Sequence, residues 1–389
     1  MNKNTLFILN VPDFPLGYAF SHQIFSISKS AVTGGANVII LNNSIPKEAF
    51  SNKIQSLNGE IEGIKFEYLS GFFQKINTFE RAFSKIKGFI REFSTLMSYR
   101  GRGGKRNLMI SYVPVFLFLY YRILCWLFGY SLTISIMEYH IAFSTKNFLK
   151  RVSYYFFDRI AIKLADKILV ISPNLEQFIE ANAPSKKVML IPALINEIKP
   201  ISKDRSIQNK FIFCGSAEYY DIIKFIVKAW EQARKSDSCS LSLIINGNAT
   251  SLQELKAWLS KQNFASDIFL QSDLTDEELL NSYDRATALL IPLMKNKKDF
   301  YRFPHKISQY LASGRPVITS DFGIVPYYLK HGLNALIAKL DDIDDFSNQM
   351  KFVLKNPIRA QEIGLTGKKT ASELFLATQY SDSLNKFLF

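Results

Sequence analysis

The sequence predicts an α/β protein of two doubly wound, Rossmann-like domains facing across a cleft. Three observations predict it. Short β-branched and apolar runs alternate with helix signals almost from end to end, one polar and charged stretch (residues 196–210) interrupts the alternation, and the alternation then restarts. Such alternation describes parallel sheets wrapped by helices. A chain of 389 residues is also too long for one ordinary core.

In order, residues 5–9 and 37–41 read as strands flanking a helix over 21–31. Residues 107–111 and 132–136 flank an aromatic helical segment, and 168–171 and 188–191 follow. Beyond a linker expected near Ile201, strands are expected at 211–214, 241–245, 268–270, 289–292 and 317–319. In doubly wound sheets, ligands gather outside the carboxyl ends of the strands.

Residues 303–320 are the most informative stretch. Pro304 suits the first position of a helix, where its missing N–H costs nothing. Gly314 suits the left-handed residue after that helix, and Pro316 stops it from continuing. The loop before the helix carries Lys295, Lys297, Lys298 and Arg302. Free N–H groups at a helix start, surrounded by cations, make a phosphate site.

Composition narrows the partners. Forty-eight Lys and Arg against 34 Asp and Glu leave a formal charge of +14, which points to an anionic partner. Cys125, Cys214 and Cys239 lack metal-ligand spacing and read as reduced thiols of a cytoplasmic protein. The chain moves directly into its first strand after Asn4, so no signal peptide is expected. Residues 112–130 are strongly apolar, but Pro114 and Arg122 interrupt them and Gly129 ends them. A membrane span needs about 20 apolar residues, so this segment reads as a helix packed on a sheet or pressed on a membrane surface. No G-x-G-x-x-G supports a nicotinamide site, and no motif supports nucleic-acid binding.

Residue 211 to the end resembles the C-terminal domain of the retaining GT-B glycosyltransferases of the family-4 type. The likeness is carried by Phe213-Cys214-Gly215-Ser216, Leu274-Thr275-Asp276-Glu277-Glu278, Ala288-Leu289-Leu290-Ile291-Pro292, the 303–320 stretch, and His331-Gly332-Leu333-Asn334-Ala335. The closest pattern is a subgroup with F-P-x-K-x-x-E-Y-L-A, of which this chain keeps Phe303, Pro304, Lys306, Tyr310, Leu311 and Ala312. The resemblance implies transfer of a sugar, with retention, from a UDP- or GDP-linked donor, with no cofactor and no metal at the diphosphate. Residues 1–198 would then bind the acceptor, 199–375 the donor, and 376–389 would form a helix crossing back to the first domain. Donor contacts would come from Gly17, Gly215, Ser216, Ser272, Asp273, Leu274, Arg302, Pro304, His305, Lys306 and Gln309. Catalytic roles fall to Glu138 or His140, at the carboxyl end of the strand over 132–136.

Two departures matter. The family's paired glutamates, eight positions apart, are here Tyr301 and Gln309. Gln309 retains a hydrogen bond for a ribose hydroxyl without charge assistance, whereas Tyr301 brings no carboxylate to the sugar. The cations that usually follow the linker strand are also replaced, by Ser216-Ala217-Glu218-Tyr219-Tyr220. A catalytically inactive, glycosyltransferase-like scaffold subunit is therefore the alternative.

Lys85, Lys87, Arg91, Arg100, Arg102, Lys105 and Arg106 interleave with Phe83, Ile86, Phe89, Ile90 and Phe93 at helical spacing, and Lys146, Lys150 and Arg151 precede Tyr154-Tyr155-Phe156-Phe157. Basic amphipathic surfaces bind anionic lipid headgroups. The expected setting is the inner face of the plasma membrane, with a glycan or lipid-linked acceptor of a bacterial surface polysaccharide. His22, after the Gly17 loop, is a weaker site candidate, and Gly17 itself equally suits an ordinary turn.

Overall fold

In the computed structural model of the protein, residues 3–11, 14–17, 19–43, 56–71, 78–200, 208–234 and 239–389 are described. The linker position Ile201 lies outside them. The chain divides into two compact units, Met1–Asn196 with Leu376–Phe389, and Glu197–Phe375.

The first unit is built on an eight-stranded sheet: β1 (Thr5–Leu9), β2 (Asn37–Asn42), β3 (Asn58–Ile61), β4 (Ile64–Tyr68), β5 (Arg106–Ile110), β6 (Ser131–Ile136), β7 (Lys167–Val170) and β8 (Lys187–Leu190). The spatial order is β3-β4-β2-β1-β5-β6-β7-β8. All neighbours are parallel except the β3–β4 hairpin. That hairpin escapes a sequence reading because β3 is exposed and carries no apolar run, while β4 shows only a five-residue alternation.

One face of this sheet is covered by the helix Ala19–Thr33 and by the C-terminal segment, through Ile24, Ile27, Leu384 and Leu388. The C-terminal helix Ser381–Leu388 is fixed to the sheet at its end, where Asn107 Nδ2 donates to the Leu388 carbonyl at 3.0 Å. On the opposite face Phe7 packs against Tyr99 and Tyr130. Three helical stretches lie in sequence between the strands here: Thr78–Tyr99, Val115–Phe128 and Phe148–Phe156. Phe89 and Phe93 join the first to the second through Tyr120 and Phe128, and Phe118 joins the second to Phe156 of the third.

The helix Thr78–Tyr99 is inverted. Its inward side holds Ser84, Gly88 and the fully buried Glu92, with Leu96 its only buried large apolar side chain. Its outward side carries Phe79, Phe83, Ile86, Ile90, Phe93 and Met97 at alternating spacings of four and three. Among the described residues, no helix is long and apolar enough to cross a membrane.

The second unit holds a six-stranded, wholly parallel sheet in the order β11-β10-β9-β12-β13-β14. Its strands are β9 (Lys210–Ser216), β10 (Ser240–Asn246), β11 (Ile268–Gln271), β12 (Ala288–Ile291), β13 (Val317–Ser320) and β14 (Leu336–Ala338). Trp230, Phe225 and Phe346 fill the core on one side. Both sheets are doubly wound, as the alternation predicts. The strand order reverses between β1 and β5 in the first and between β9 and β12 in the second, and such switch points open crevices at the carboxyl edge.

The helix expected to start at Pro304 spans His305–Ser313, with Pro304 as its N-cap and not its first residue. The proline is extended (ψ 115°), so its ring shapes the approach to the helix. Gly314 closes the helix in the left-handed region (φ 73°), as its position predicts.

Candidate active site

In the second unit, Lys306 stands in the first turn of the helix His305–Ser313. Its Nζ donates to Tyr283 Oη and Gln309 Oε1, both at 3.1 Å. Both partners are neutral, so among the described residues the charge of this half-buried ammonium is uncompensated. Gln309 lies one turn on, on the same helical face. The helix is fastened to the switch point by Tyr310, whose buried hydroxyl accepts from Cys214 N at 2.9 Å. That bond ties the helix to β9 at the residue just before Gly215 and Ser216. Burial, with the Cys214 thiol nearby, drives the Tyr310 and Tyr283 phenols well above the usual range, so both stay neutral donors.

Arg302 is differently placed. Its guanidinium pairs with Asp299 at 2.6 Å and donates to Tyr219 Oη at 2.6 Å. Asp299 is buried and also accepts from Met294 N at 2.9 Å. The charge of Arg302 is thus met within the protein, and the residue braces the loop before the helix. Gly323 closes over the same turn, where a Cβ would come 2.5 Å from the Asp299 carbonyl at a φ of 61°. Asp299, Tyr219 and Tyr283 were not singled out from sequence; Asp299, an acid amid Lys297, Lys298 and Arg302, is the readable signal.

Of the remaining donor-side candidates, those in the second unit spread along the same edge. Ser216 accepts from Glu218 N as the cap of a short turn. Ser272, Asp273 and Leu274 follow β11, the outermost strand; Asp273 is left-handed (φ 57°) and its N–H donates to Asn246 Oδ1 at 3.1 Å. His305 opens the lysine helix and is half-buried. Gly17 belongs to the first unit, with φ 114° in the loop between β1 and the helix Ala19–Thr33.

A second group of candidate residues lies in the first unit. Glu138 and His140 follow β6. His140 is 8% exposed, and its Nδ1 lies 2.8 Å from Asp158 Oδ1. Asp158 is 2% exposed, and its Oδ2 accepts from Ile141 N at 2.8 Å. A carboxylate oxygen accepts, so in this contact Nδ1 is the donor and Asp158 fixes the orientation of the ring. Asp158 sits in a π-helical turn, Phe157–Ala161, of the kind found inside helices at functional sites. The imidazole stacks on Tyr112, just past β5, with centroids 4.7 Å apart, so it is held beside the switch point. Among the described residues Glu138 has no ion-pair or hydrogen-bond partner and is half-buried. Asp158 was missed from sequence because eighteen residues and a helix separate it from His140.

Comparison with known proteins places the fold in a class. Residues 195–370 match the family model of glycosyl transferases group 1. No curated protein matches the chain in sequence. Sucrose-phosphate synthase of Thermosynechococcus elongatus has a similar structure, with a TM-score of 0.76 at 14% identity, covering 99% of this chain and 98% of that one. Anabaena HepE, solved with UDP and glucose, gives 0.73 at 12% identity over 99% of both chains. A Rickettsia africae glycosyltransferase gives 0.70 at 12% identity, covering 100% of this chain and 99% of that one. At such identities the likeness establishes the GT-B fold. The fold and the matched domain together define a glycosyltransferase.

Proposed function

We propose that the protein transfers a sugar, with retention, from a UDP- or GDP-linked donor to a lipid-carried glycan of a bacterial surface polysaccharide, working peripherally at the inner face of the plasma membrane. One observation carries the donor half of this reading. Lys306 presents an uncompensated ammonium at a helix N-terminus on the switch-point edge of the second unit. A departing nucleoside diphosphate develops negative charge, and a fixed cation with free helical N–H groups stabilises it. Gln309 is assigned to the ribose and the backbone at Ser272, Asp273 and Leu274 to the base. The UDP seen in HepE makes a uridine donor the first to test.

On the acceptor side, His140 and Glu138 are assigned to the incoming hydroxyl and the transferring sugar, with Asp158 orienting the imidazole. The membrane setting is supported by the outward apolar side chains of the helices between β4 and β7, among them Phe79 at 82% and Trp126 at 78% exposure. Between residues 78 and 164 the sequence has fourteen Lys and Arg against four acids, and Glu92 and Asp158 of those four are buried. The accessible charge is therefore strongly positive, which suits anionic lipid.

A thermal-shift series with UDP, GDP and their sugar conjugates tests the reading. A ligand at 100 times its dissociation constant adds about 2.7 kcal/mol, so one nucleotide family should raise the melting temperature, and donor turnover should fall by about 10² to 10³ in Lys306→Ala. A shift with no turnover on any acceptor supports the scaffold alternative, which the missing carboxylates at Tyr301 and Gln309 favour. No shift with any nucleotide overturns the donor assignment.

A further inference from the structure

A groove of about 610 Å³ lies in the first unit between the turn that carries His140 and the start of the helix Phe148–Phe156. Its walls are apolar: Phe148 is 70% and Tyr155 60% exposed, and Ile141 and Val152 complete them. Arg151 lines it as well, and among the described residues Arg151 has no carboxylate partner. Ser144 and Thr145 add hydroxyls at one end, and among the described residues no acidic one lines it. Lys146 and Lys150 flank it in sequence.

Its position ties it to the imidazole. Tyr154 lines the groove and also packs on His140, with centroids 5.8 Å apart. Ile141, on the near wall, belongs to the His140 turn, and Phe143 closes it. On its other side the same helix meets Val115–Phe128 through Phe156 and Phe118, and that helix exposes Phe116, Leu119, Ile123 and Trp126. The groove thus adjoins His140 on one side and a broad apolar surface on the other.

We infer that this groove binds a lipid phosphate: Arg151 takes the phosphate, and the Phe148–Tyr155 wall takes the first carbons of the hydrocarbon chain. The chemistry requires both parts. A free anion leaves large aromatic side chains bare, and bare apolar patches of this kind mark binding surfaces. A neutral hydrocarbon leaves the arginine without a counter-ion. Arginine matches phosphate through its planar fork of donors, and a chain anchored there delivers whatever its phosphate carries to His140. The inference deepens the acceptor half of the proposed function and rests on that reading.

The test uses the full chain and farnesyl phosphate below its micelle concentration, with farnesol and inorganic phosphate as controls, followed by calorimetry. The expected result is saturable binding of farnesyl phosphate, with each control at least tenfold weaker. Arg151→Ala should weaken it about tenfold and Tyr155→Ser severalfold, with partial recovery in Arg151→Lys. Trp126→Ser should leave this affinity unchanged. All these side chains are exposed, so folding is preserved. The inference is overturned if both groove variants bind like the wild type, if farnesol binds equally well (an apolar patch only), or if inorganic phosphate does (a plain anion site). Nucleotide shifts, read in parallel, report the donor site separately: nucleotide binding without lipid-phosphate binding removes this inference and leaves the donor reading standing.

Discussion

The Nδ1 atom of His140 lies 2.8 Å from Oδ1 of Asp158, and both residues are almost wholly buried. The carboxylate is held on its other oxygen by the backbone of Ile141, so three groups share one rigid arrangement. Asp158→Asn keeps the shape but changes which ring nitrogen is favoured as donor. Turnover should therefore fall about tenfold to a hundredfold, with the donor KM nearly unchanged. In the double variant with His140→Ala the losses should not add, because residues acting as one unit are strongly non-additive. Additive losses would show that Asp158 acts independently of the imidazole.

Lys306 and Arg302 differ in what meets their charge, and their variants should differ accordingly. Removing Lys306 takes away an uncompensated cation, so Lys306→Ala should lower turnover by about 10² to 10³ with little change in melting temperature. Removing Arg302 strands buried Asp299 without its counter-ion, a loss on the order of 3–5 kcal/mol. Arg302→Ala should therefore reduce the urea midpoint before it reduces nucleotide affinity per folded molecule. The reverse ranking would assign the phosphate contact to Arg302.

The doubly wound architecture is legible in the sequence because buried parallel strands write themselves as short β-branched runs, and the runs at 5–9, 37–41, 241–245 and 317–319 all lie on strands. Lys306 is legible for a local reason, since proline, lysine and glycine are spaced along one helix. The Asp299–Arg302 pairing is hidden, because a loop rich in Lys and Arg gives no sign of which cation is already neutralised. Asp158 is hidden because contact across a helix leaves no periodic trace. The inversion of Thr78–Tyr99 is half legible: its apolar stripe is plain, but only Glu92 on the other side, packed against Asn43, shows which side faces inward.

The outward stripe of that helix and the exposed face of Val115–Phe128 should bind anionic bilayers. Sedimentation with phosphatidylglycerol vesicles should carry the protein down, and phosphatidylcholine vesicles should not. Added salt should release it, since each cation near the surface contributes about 1 kcal/mol that screening removes. Phe83→Ser and Trp126→Ser should each weaken binding severalfold to tenfold, given about 1.5–3 kcal/mol for a fully buried large apolar side chain. Equal binding to both vesicle types would overturn the electrostatic part. A dimer that dissociates in Phe83→Ser, with no vesicle binding, would assign the stripe to a second copy.

Glu92 supplies the pH dependence. It is fully buried beneath the same helix and accepts from Asn43 Nδ2 at 2.6 Å; Tyr121, bonded to Asn10 Nδ2 at 2.8 Å, faces it from Val115–Phe128. Desolvation pushes its carboxyl up from 4.5 to about 8, with the Tyr121 hydrogen bond opposing the rise. A carboxyl raised in the folded state is protonated there while its unfolded counterpart ionises, so the contribution of Glu92 to stability is fully present below about pH 4.5 and is lost as pH climbs to about 8. The full difference is on the order of 5 kcal/mol for a shift of this size. Glu92→Gln keeps an acceptor for Asn43 and has nothing to titrate. Its urea midpoint should therefore stay level between pH 5 and pH 8, where that of the wild type should decline, and at pH 8 the variant should be the more stable protein. Parallel declines in the two proteins would place the titrating group elsewhere.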